Sequence, residues 1–328
     1  MPSHLTRGRL LGTLGALVVG LVLTVAAATL VGPVRARPWG DAVARRIVLE
    51  TRLPRVLLAA TVGAGLATAG AGLQGLLQNL LACPHLLGVS GGAAVAGALA
   101  LVAGVDPLSP AAPLAAFAGA LATIAAVYFG ARAGGRTTPH AILLVGVVGN
   151  AVAAAAIMLL ETLLSTTALR GVLFWIIGTL SAQSYRLIAV SAIYVLVGSF
   201  WLGRHALALN LLATGEEGAA YLGVDIERVR RQVFLAASLL VGAAVSVSGM
   251  ISFVGLIVPH LLRLVVGADQ RLLLPASFLG GAIFLVAADT LARTVVAPTE
   301  LPVGVVTALL GGPFFVALLR RQLREALA

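Results

Sequence analysis

The chain has 328 residues, of which 60% are hydrophobic and only 10% are charged. Soluble domains have about a quarter of their residues charged, so this composition excludes a soluble globular protein. All 22 basic residues are arginine and none is lysine, which excludes a Schiff base, a Ser–Lys dyad and a phosphate-binding P-loop lysine in this chain. Any ATP that the protein uses must therefore be bound by another chain.

Uncharged stretches of about 20 residues, the length that crosses a bilayer as a helix, follow one another along the chain. The first covers residues 10–34 and is longer than the apolar core of a removable signal peptide. The second covers residues 56–105, which is enough for two helices with a break at 79–84. Seven further helices are predicted within residues 107–131, 137–160, 187–203, 232–266 (two helices, separated near Gly249), 272–288 and 301–319. The pattern predicts an all-α, polytopic membrane protein of about ten transmembrane helices, forming a single domain over residues 1–328.

Small residues recur at four-residue spacing within these stretches, as at Gly65 and Ala69. This spacing lets transmembrane helices approach closely and predicts a compact bundle. We find no strong internal repeat of the kind that many secondary transporters contain. An ion-coupled secondary transporter therefore stays an alternative without positive support.

The arginines indicate how the chain is oriented in the membrane. An even number of helices places both termini on one side, and cytoplasmic termini leave thirteen arginines inside and nine outside. Six of these nine lie in one external loop, residues 35–55. An acidic partner outside the membrane explains such a local cationic patch, and a short loop that merely tolerates arginines is the alternative.

The longest polar segment on the predicted cytoplasmic side is 204–231, which carries eight charged residues. Within it, the sequence between Gly215 and Gly223 is typical of a short helix bounded by glycines. Such a helix is suited to docking a soluble partner, and a solvated connector is the alternative.

Few residues in the chain are candidates for catalysis or metal binding. The sequence Gly-Val-Ser-Gly at 88–91 is similar to the nucleophile turn of rhomboid-type intramembrane proteases, with His140 or His260 available as a base to Ser90; a closely packed helix start is the simpler interpretation. Cys83 and His85 flank a proline and could ligate haem iron, although a loop breaker between two helices is the favoured interpretation. No cluster of His, Asp or Glu has the spacing of a metal site.

Two charges near the end of a predicted span, Asp289 and Arg293, are four residues apart. Residues at this spacing lie on the same face of a helix, so the two can pair and reduce each other's cost of desolvation. The pair has either a structural role or a role in docking a partner.

Seven motifs occur in order along nearly the whole chain. They are Arg-Leu-Pro-Arg at 52–55, Gly-Ala-Gly-Leu-Gln-Gly at 70–75, Leu-Gly-Val-Ser-Gly-Gly-Ala at 87–93, Gly-Glu-Glu at 215–217 with Leu-Gly-Val at 222–224, Phe-Val-Gly-Leu-Ile-Val-Pro-His-Leu-Leu-Arg at 253–263, Ala-Asp-Thr-Leu-Ala-Arg at 288–293 and Glu-Leu-Pro-Val-Gly at 300–304. Together they resemble the permease subunits of type II ABC importers that take up vitamin B12, ferric siderophores and haem. This family resemblance implies ten transmembrane helices per subunit, in agreement with the number predicted from the uncharged stretches.

The resemblance implies three groups of functional residues and no catalytic residue. The arginines that receive acidic residues of a periplasmic binding protein are Arg52, Arg55 and Arg293. The coupling helix that contacts the ATPase includes Glu216, Glu217, Leu222 and Gly223. The gate positions are Asn79, Leu81, Thr138, Pro139 and His140, and the first gate departs from the usual Asn-Pro-Leu-Ala-Asp-Pro because Leu80 and Cys83 replace a proline and an acid.

The resemblance further implies a transport subunit without enzymatic activity of its own, working by alternating access in the bacterial cytoplasmic membrane with both termini inside. The implied partners are a second copy of the chain, two ATP-binding subunits, a periplasmic substrate-binding protein and membrane lipid, with no nucleic acid. We expect no cofactor on this chain and ATP-Mg on the separate ATPase. The favoured cargo is haem, then a ferric siderophore, then cobalamin; an ion-coupled secondary transporter and an intramembrane serine protease using Ser90 are the alternatives.

Overall fold

The computed structural model describes residues 6–33, 41–85, 87–105, 109, 111–133, 136–163, 177–181 and 183–327. Apart from one antiparallel pair of two-residue strands, β1 (Arg132–Ala133) and β2 (Arg136–Thr137), the regular structure within these ranges is helical, which confirms the all-α prediction. The helices are α1 (Arg7–Leu30), α2 (Ala42–Arg46), α3 (Leu53–Leu77), α4 (Val89–Val102), α5 (Ala111–Gly130), α6 (Pro139–Leu163), α7 (Tyr185–Gly203), α8 (Ala206–Leu212), α9 (Glu216–Tyr221), α10 (Ile226–Ser248), α11 (Val254–Val266), α12 (Gln270–Thr294) and α13 (Val303–Leu327).

The apolar helices correspond one to one with the predicted spans. Seven helical stretches in the described part of the chain are long and apolar enough to cross a membrane, and α4, α5 and α11 are shorter apolar helices. Together they match the ten that the sequence predicts. The largest difference is at α3, where a π-helical turn (Ile47–Arg52) joins α2 to α3, so that the helical stretch Ala42–Leu77 has 36 residues.

Helix α3 lies at the centre of the bundle, in contact with α7, α10, α11 and α12. Its glycines bring backbones together: a Cβ on Gly63 would lie 2.2 Å from the carbonyl oxygen of Gly281 in α12, and one on Gly70 would lie 1.8 Å from that of Gly255 in α11. At these distances a side chain would overlap a backbone atom of the neighbouring helix, so both positions need glycine. The close contact matters because helices in lipid associate through packing and without a hydrophobic driving force. The predicted compact bundle is therefore built around glycine contacts of α3.

The bundle has two ends, each with its own set of polar groups. Helices α3 and α12 are antiparallel, so Arg55 near the start of α3 meets Asp289 near the end of α12; we call this the Arg55 end. At the opposite end Gly75 of α3 lies beside Gln270 of α12. Helix α10 runs between the two ends. Arg230 lies near the start of α10 and forms an ion pair at this second end, which we call the Arg230 end.

Candidate functional site

At the Arg55 end, four charged side chains form what we call the arginine–carboxylate cluster: Arg55, Asp289, Arg293 and Glu300. Asp289 lies between the two arginines, with its Oδ1 2.9 Å from Nη2 of Arg55 and its Oδ2 3.0 Å from Nε of Arg293. Arg55 also donates through Nη1 to Oε2 of Glu300, at 2.5 Å. The predicted pairing of Asp289 with Arg293 is therefore confirmed, and Arg55, from a distant part of the chain, completes it.

Burial divides this cluster into an inner and an outer part. The side chains of Asp289 and Arg293 are 1% and 2% exposed, whereas those of Arg55 and Glu300 are 12% and 42% exposed. Asp289 and Arg293 stabilise each other only while both are present, because either charge left buried alone would carry a large desolvation cost. The inner pair is thus structural, and the outer pair faces the surroundings of the protein.

Two of the three predicted docking arginines also hold the end of α1. Arg52 is buried and donates to the carbonyl oxygens of Thr29 and Leu30, at 3.5 and 3.0 Å. Arg293 donates to the carbonyl oxygen of Ala28 at 3.3 Å. These are carbonyls of the last helical turn, which lack partners within the helix and favour a nearby cation. The structure brings the three arginines to one end of the bundle but gives Arg52 and Arg293 internal partners.

The Arg230 end carries the predicted coupling segment. Helix α9 begins after Gly215, with a φ of 99°, and ends before Gly223, with a φ of 83°; both angles lie in the region that favours glycine. Tyr221 is 92% exposed and Leu222 62% exposed. The segment is therefore a short helix, as predicted, with an apolar surface that the described part of the chain leaves uncovered.

Arg230 attaches α9 to the bundle. Its side chain is only 3% exposed and forms ion pairs of 2.6 Å with Glu216 of α9 and with Glu227 of α10. All four predicted coupling residues are exposed, and among them Glu216 takes part in this attachment. The role of Arg230 was not predicted from the sequence, although its position three residues after Glu227 is a signal for pairing.

A second connection at this end joins the short helix α8 to α12. Asp269 caps α12 and accepts hydrogen bonds from Nδ2 of Asn210 at 2.8 Å and from the guanidinium of Arg271. Hydrogen bonds from the Arg271 side chain are the main cause that lowers the pKa of Asp269 to about 2. The carboxylate is therefore charged throughout the physiological range and fixes α8 beside the start of α12.

The predicted gate residues lie at two separate turns. Asn79 and Leu81 are half-buried in the turn after α3, where Oδ1 of Asn79 accepts from the backbone N–H of Leu81 at 2.9 Å. Thr138 precedes α6, and its hydroxyl accepts from the backbone N–H of Ala141 at 3.3 Å. The side chains of Pro139 and His140 lie outside the described residues. The gate assignment stays a prediction.

The residues considered for other chemistry do not converge. In the described part of the chain, no group of three or more His, Cys, Asp or Glu could hold a metal ion. Cys83 is buried in an apolar cluster with Leu256 and Ile257. Ser90 is buried in α4, which packs on α5, α6 and α10, whereas His260 lies in α11, which packs on α3, α12 and α13.

Comparison with known proteins decides the family. The sequence pattern described as the FecCD transport family matches residues 10–321. The chain belongs to the FecCD transport family. It is 44% identical over 279 residues to the hemin transport system permease protein HmuU of Yersinia pestis, covering 84% of each chain. It is 46% identical over 288 residues to the cobalamin import system permease protein BtuC of Halobacterium salinarum, covering 86% of this chain and 75% of the relative.

A solved structure shows the same fold. A metal-chelate type ABC transporter in an inward-facing conformation superimposes with a TM-score of 0.84 at 31% identity, covering 95% of this chain and 99% of that one. The resemblance inferred from the seven motifs is therefore confirmed. The protein is a multi-pass membrane protein and an ABC importer permease of the FecCD family.

Proposed function

We propose that two copies of this chain form the transmembrane pathway of an importer for a metal chelate, driven by two separate ATPase subunits and supplied by a periplasmic binding protein. ATP binding would shift the permease between outward-open and inward-open states, which requires contacts that differ between the two states. The observation that carries this proposal is α9, a short helix at one end of an apolar bundle with Tyr221 and Leu222 exposed. An apolar surface outside the lipid-facing part of a membrane protein is suited to a protein partner.

We propose the Arg230 end as the cytoplasmic one because α9 lies there, and the course of α1 and α13 agrees with the predicted placement of both termini on one side. Arg9 in the first turn of α1 donates to the carbonyl oxygen of Val266 at the end of α11, so α1 begins at the Arg230 end. Helix α13 starts at the opposite end beside Gly178, and Phe314 further along contacts the ring of His260. Its 25 residues extend about 37 Å at 1.5 Å per residue, so α13 runs toward the Arg230 end. Both termini, α9 and Arg230 then face the cytoplasm.

The arginine–carboxylate cluster then faces outward, where a binding protein would dock. We assign the direct contact with an acidic residue of that protein to Arg55, since its guanidinium is the most exposed of the three predicted docking arginines. Arg52 and Arg293 would support it by keeping the end of α1 and Asp289 in place. Electrostatic complementarity of this kind favours rapid and specific association.

Replacing Leu222 by glutamate tests the role of α9. We expect at least a tenfold loss of ATPase co-purification and of ATP-driven uptake, because a new charge would enter an apolar contact that must be desolvated. Arg204→Gln is the matched control: it changes the net charge by the same amount at an exposed position of the same end. The assignment of α9 would be contradicted if the two variants showed equal losses or if neither variant showed a loss.

The cargo is proposed as a class, a metal chelate, with haem tested first. The named relatives include a hemin permease and a cobalamin permease, and both names denote a chelated metal. His85 adds support for haem: its Nδ1 is buried without a hydrogen-bond partner, and burial lowers the pKa of the imidazole, which favours the neutral form that ligates iron.

Transport into proteoliposomes distinguishes the cargoes and the alternative functions. Permease, ATPase and binding protein are reconstituted together and offered haem, a ferric siderophore or cobalamin, with and without ATP. We expect ATP-dependent uptake of one chelate, haem first. Uptake without the ATPase chain would favour a secondary transporter, and loss of a proteolytic activity on Ser90→Ala would favour a protease. Failure of the binding protein to bind haem would remove haem from the proposal.

A further inference from the structure

The Glu-Leu-Pro-Val-Gly motif at 300–304 has no role in the function proposed so far. It begins in the turn after α12 and includes the first two residues of α13, at the Arg55 end. Its first residue is Glu300, whose Oε2 is 2.5 Å from Nη1 of Arg55. We propose that Glu300 occupies the position on Arg55 that an acidic residue of the binding protein takes on docking. Docking is then an exchange of carboxylates that releases residues 300–304. This inference rests on the proposed docking and adds its regulation.

The two carboxylates on Arg55 differ in how easily they can be replaced. Asp289 accepts from both Nε and Nη2 of Arg55 and is also ion-paired with Arg293, and its side chain is 1% exposed. Glu300 accepts from Nη1 alone, and its side chain is 42% exposed. Removing Glu300 from Arg55 therefore leaves the inner charges paired. An incoming carboxylate restores the same charge balance, because one acidic group replaces another on the same nitrogen.

There is space beside the Arg55–Glu300 pair for a side chain from outside. A cavity of about 240 Å³ is lined by Arg55 and Glu300, by Thr179 and Ser181 from the segment before α7, and by Pro302. A water molecule takes about 30 Å³ in the liquid, so the cavity holds an acidic side chain. Its lining combines a guanidinium with hydroxyl groups, which are donors suited to a carboxylate.

The segment that Glu300 holds is connected to the other end of the bundle. The N–H of Gly304 donates to the carbonyl oxygen of Gly178 at 3.1 Å, and the N–H of Thr179 donates to that of Ser248 at 2.9 Å. Ser248 is the last residue of α10, whose other end carries Arg230 and its ion pair with α9. Release of Glu300 therefore acts on a segment hydrogen-bonded, through residues 178–179, to the helix that holds the coupling helix. Such a contiguous network can couple two sites when it has two arrangements.

Affinity for the binding protein is the first measurement. Permease in lipid nanodiscs is titrated with the periplasmic binding protein of the proposed importer, for the unchanged chain, Glu300→Gln and Glu50→Gln. We expect Glu300→Gln to bind about three- to fivefold more tightly, the effect of removing one competing ion pair worth less than about 1 kcal/mol. Glu50→Gln is the matched control, since it removes an exposed carboxylate of the same end that pairs with Arg46 instead; we expect less than about a twofold change.

The second measurement follows the segment itself and separates exchange from simple charge repulsion. A spin label at Thr299→Cys, an exposed position beside Glu300, reports mobility. We expect the label to become more mobile when the binding protein docks, and to be mobile without it in the Glu300→Gln variant.

The outcomes distinguish the exchange from the docking on which it rests. Unchanged or weaker affinity of Glu300→Gln, equal tightening by Glu50→Gln, or a label that docking leaves immobile would each overturn the exchange while docking stands. A binding protein that does not bind the unchanged permease would overturn both proposals.

Discussion

Asp289→Asn is expected to lower the free energy of unfolding by about 3–5 kcal/mol, the cost of breaking a buried ion pair from one side. The variant keeps the size of the side chain but removes the negative charge between Arg55 and Arg293. Both guanidiniums are held close to Asp289, at 2.9 and 3.0 Å, and the Asp289 side chain is 1% exposed. Thermal unfolding in detergent, followed by fluorescence-detected size-exclusion chromatography, measures the change.

Glu300→Gln serves as the comparison for this prediction. Glu300 also pairs with Arg55, but its side chain is 42% exposed, so its removal should cost less than about 1 kcal/mol. If the two variants unfold at the same temperature, the division of the cluster into a buried structural part and an exposed part is wrong.

Gly70→Ala is expected to destabilise the bundle by about 3 kcal/mol, at the upper end of ordinary overpacking. A Cβ at this position would lie 1.8 Å from the carbonyl oxygen of Gly255, and backbone atoms cannot move aside as the end of a flexible side chain can. Helices α3 and α11 would have to separate, which would also disturb the contacts of α3 with α12. The midpoint of thermal unfolding and the yield of monodisperse protein measure this effect.

Gly203→Ala is the matched control on another apolar helix. A Cβ on Gly203, the last residue of α7, would meet no atom within 4 Å, and alanine favours helix over glycine by up to about 1 kcal/mol. We expect unchanged or slightly raised stability. A loss in Gly203→Ala as large as that in Gly70→Ala would show that glycine flexibility, rather than close helix contact, is what the bundle needs.

The helices were predictable because the tendency of a segment to span a membrane depends on the composition of that segment alone. Each uncharged stretch of sufficient length became an apolar helix, and the breaks at 79–84 and near Gly249 separate helices in the structure. The prediction failed at the start of α3, which was placed after the charges at Arg52 and Arg55. In the structure the helix continues back through both residues, because their guanidiniums have partners on other helices and are not left unpaired at the membrane boundary.

The candidate sites were predictable only in part. Motif resemblance grouped Arg52, Arg55 and Arg293 and marked the short helix of the coupling segment. It did not show that two of these arginines are buried against α1, nor that Glu300 and Arg230 complete the two charged clusters. Sequence spacing finds partners one helical turn apart, as for Asp289 and Arg293, but not partners on other helices.

The sequence by itself determined that this is a lysine-free, mainly helical membrane protein, and it predicted that ATP is bound by another chain. These properties depend on composition and on uncharged stretches, which can be recognised in each segment without knowing what that segment packs against. Tertiary structure alone decided which charges are buried and which face outward. Arg55 and Asp289 are 234 positions apart in the chain, and only the packing of α3 against α12 brings them together in surroundings where an unpaired charge is too costly to keep.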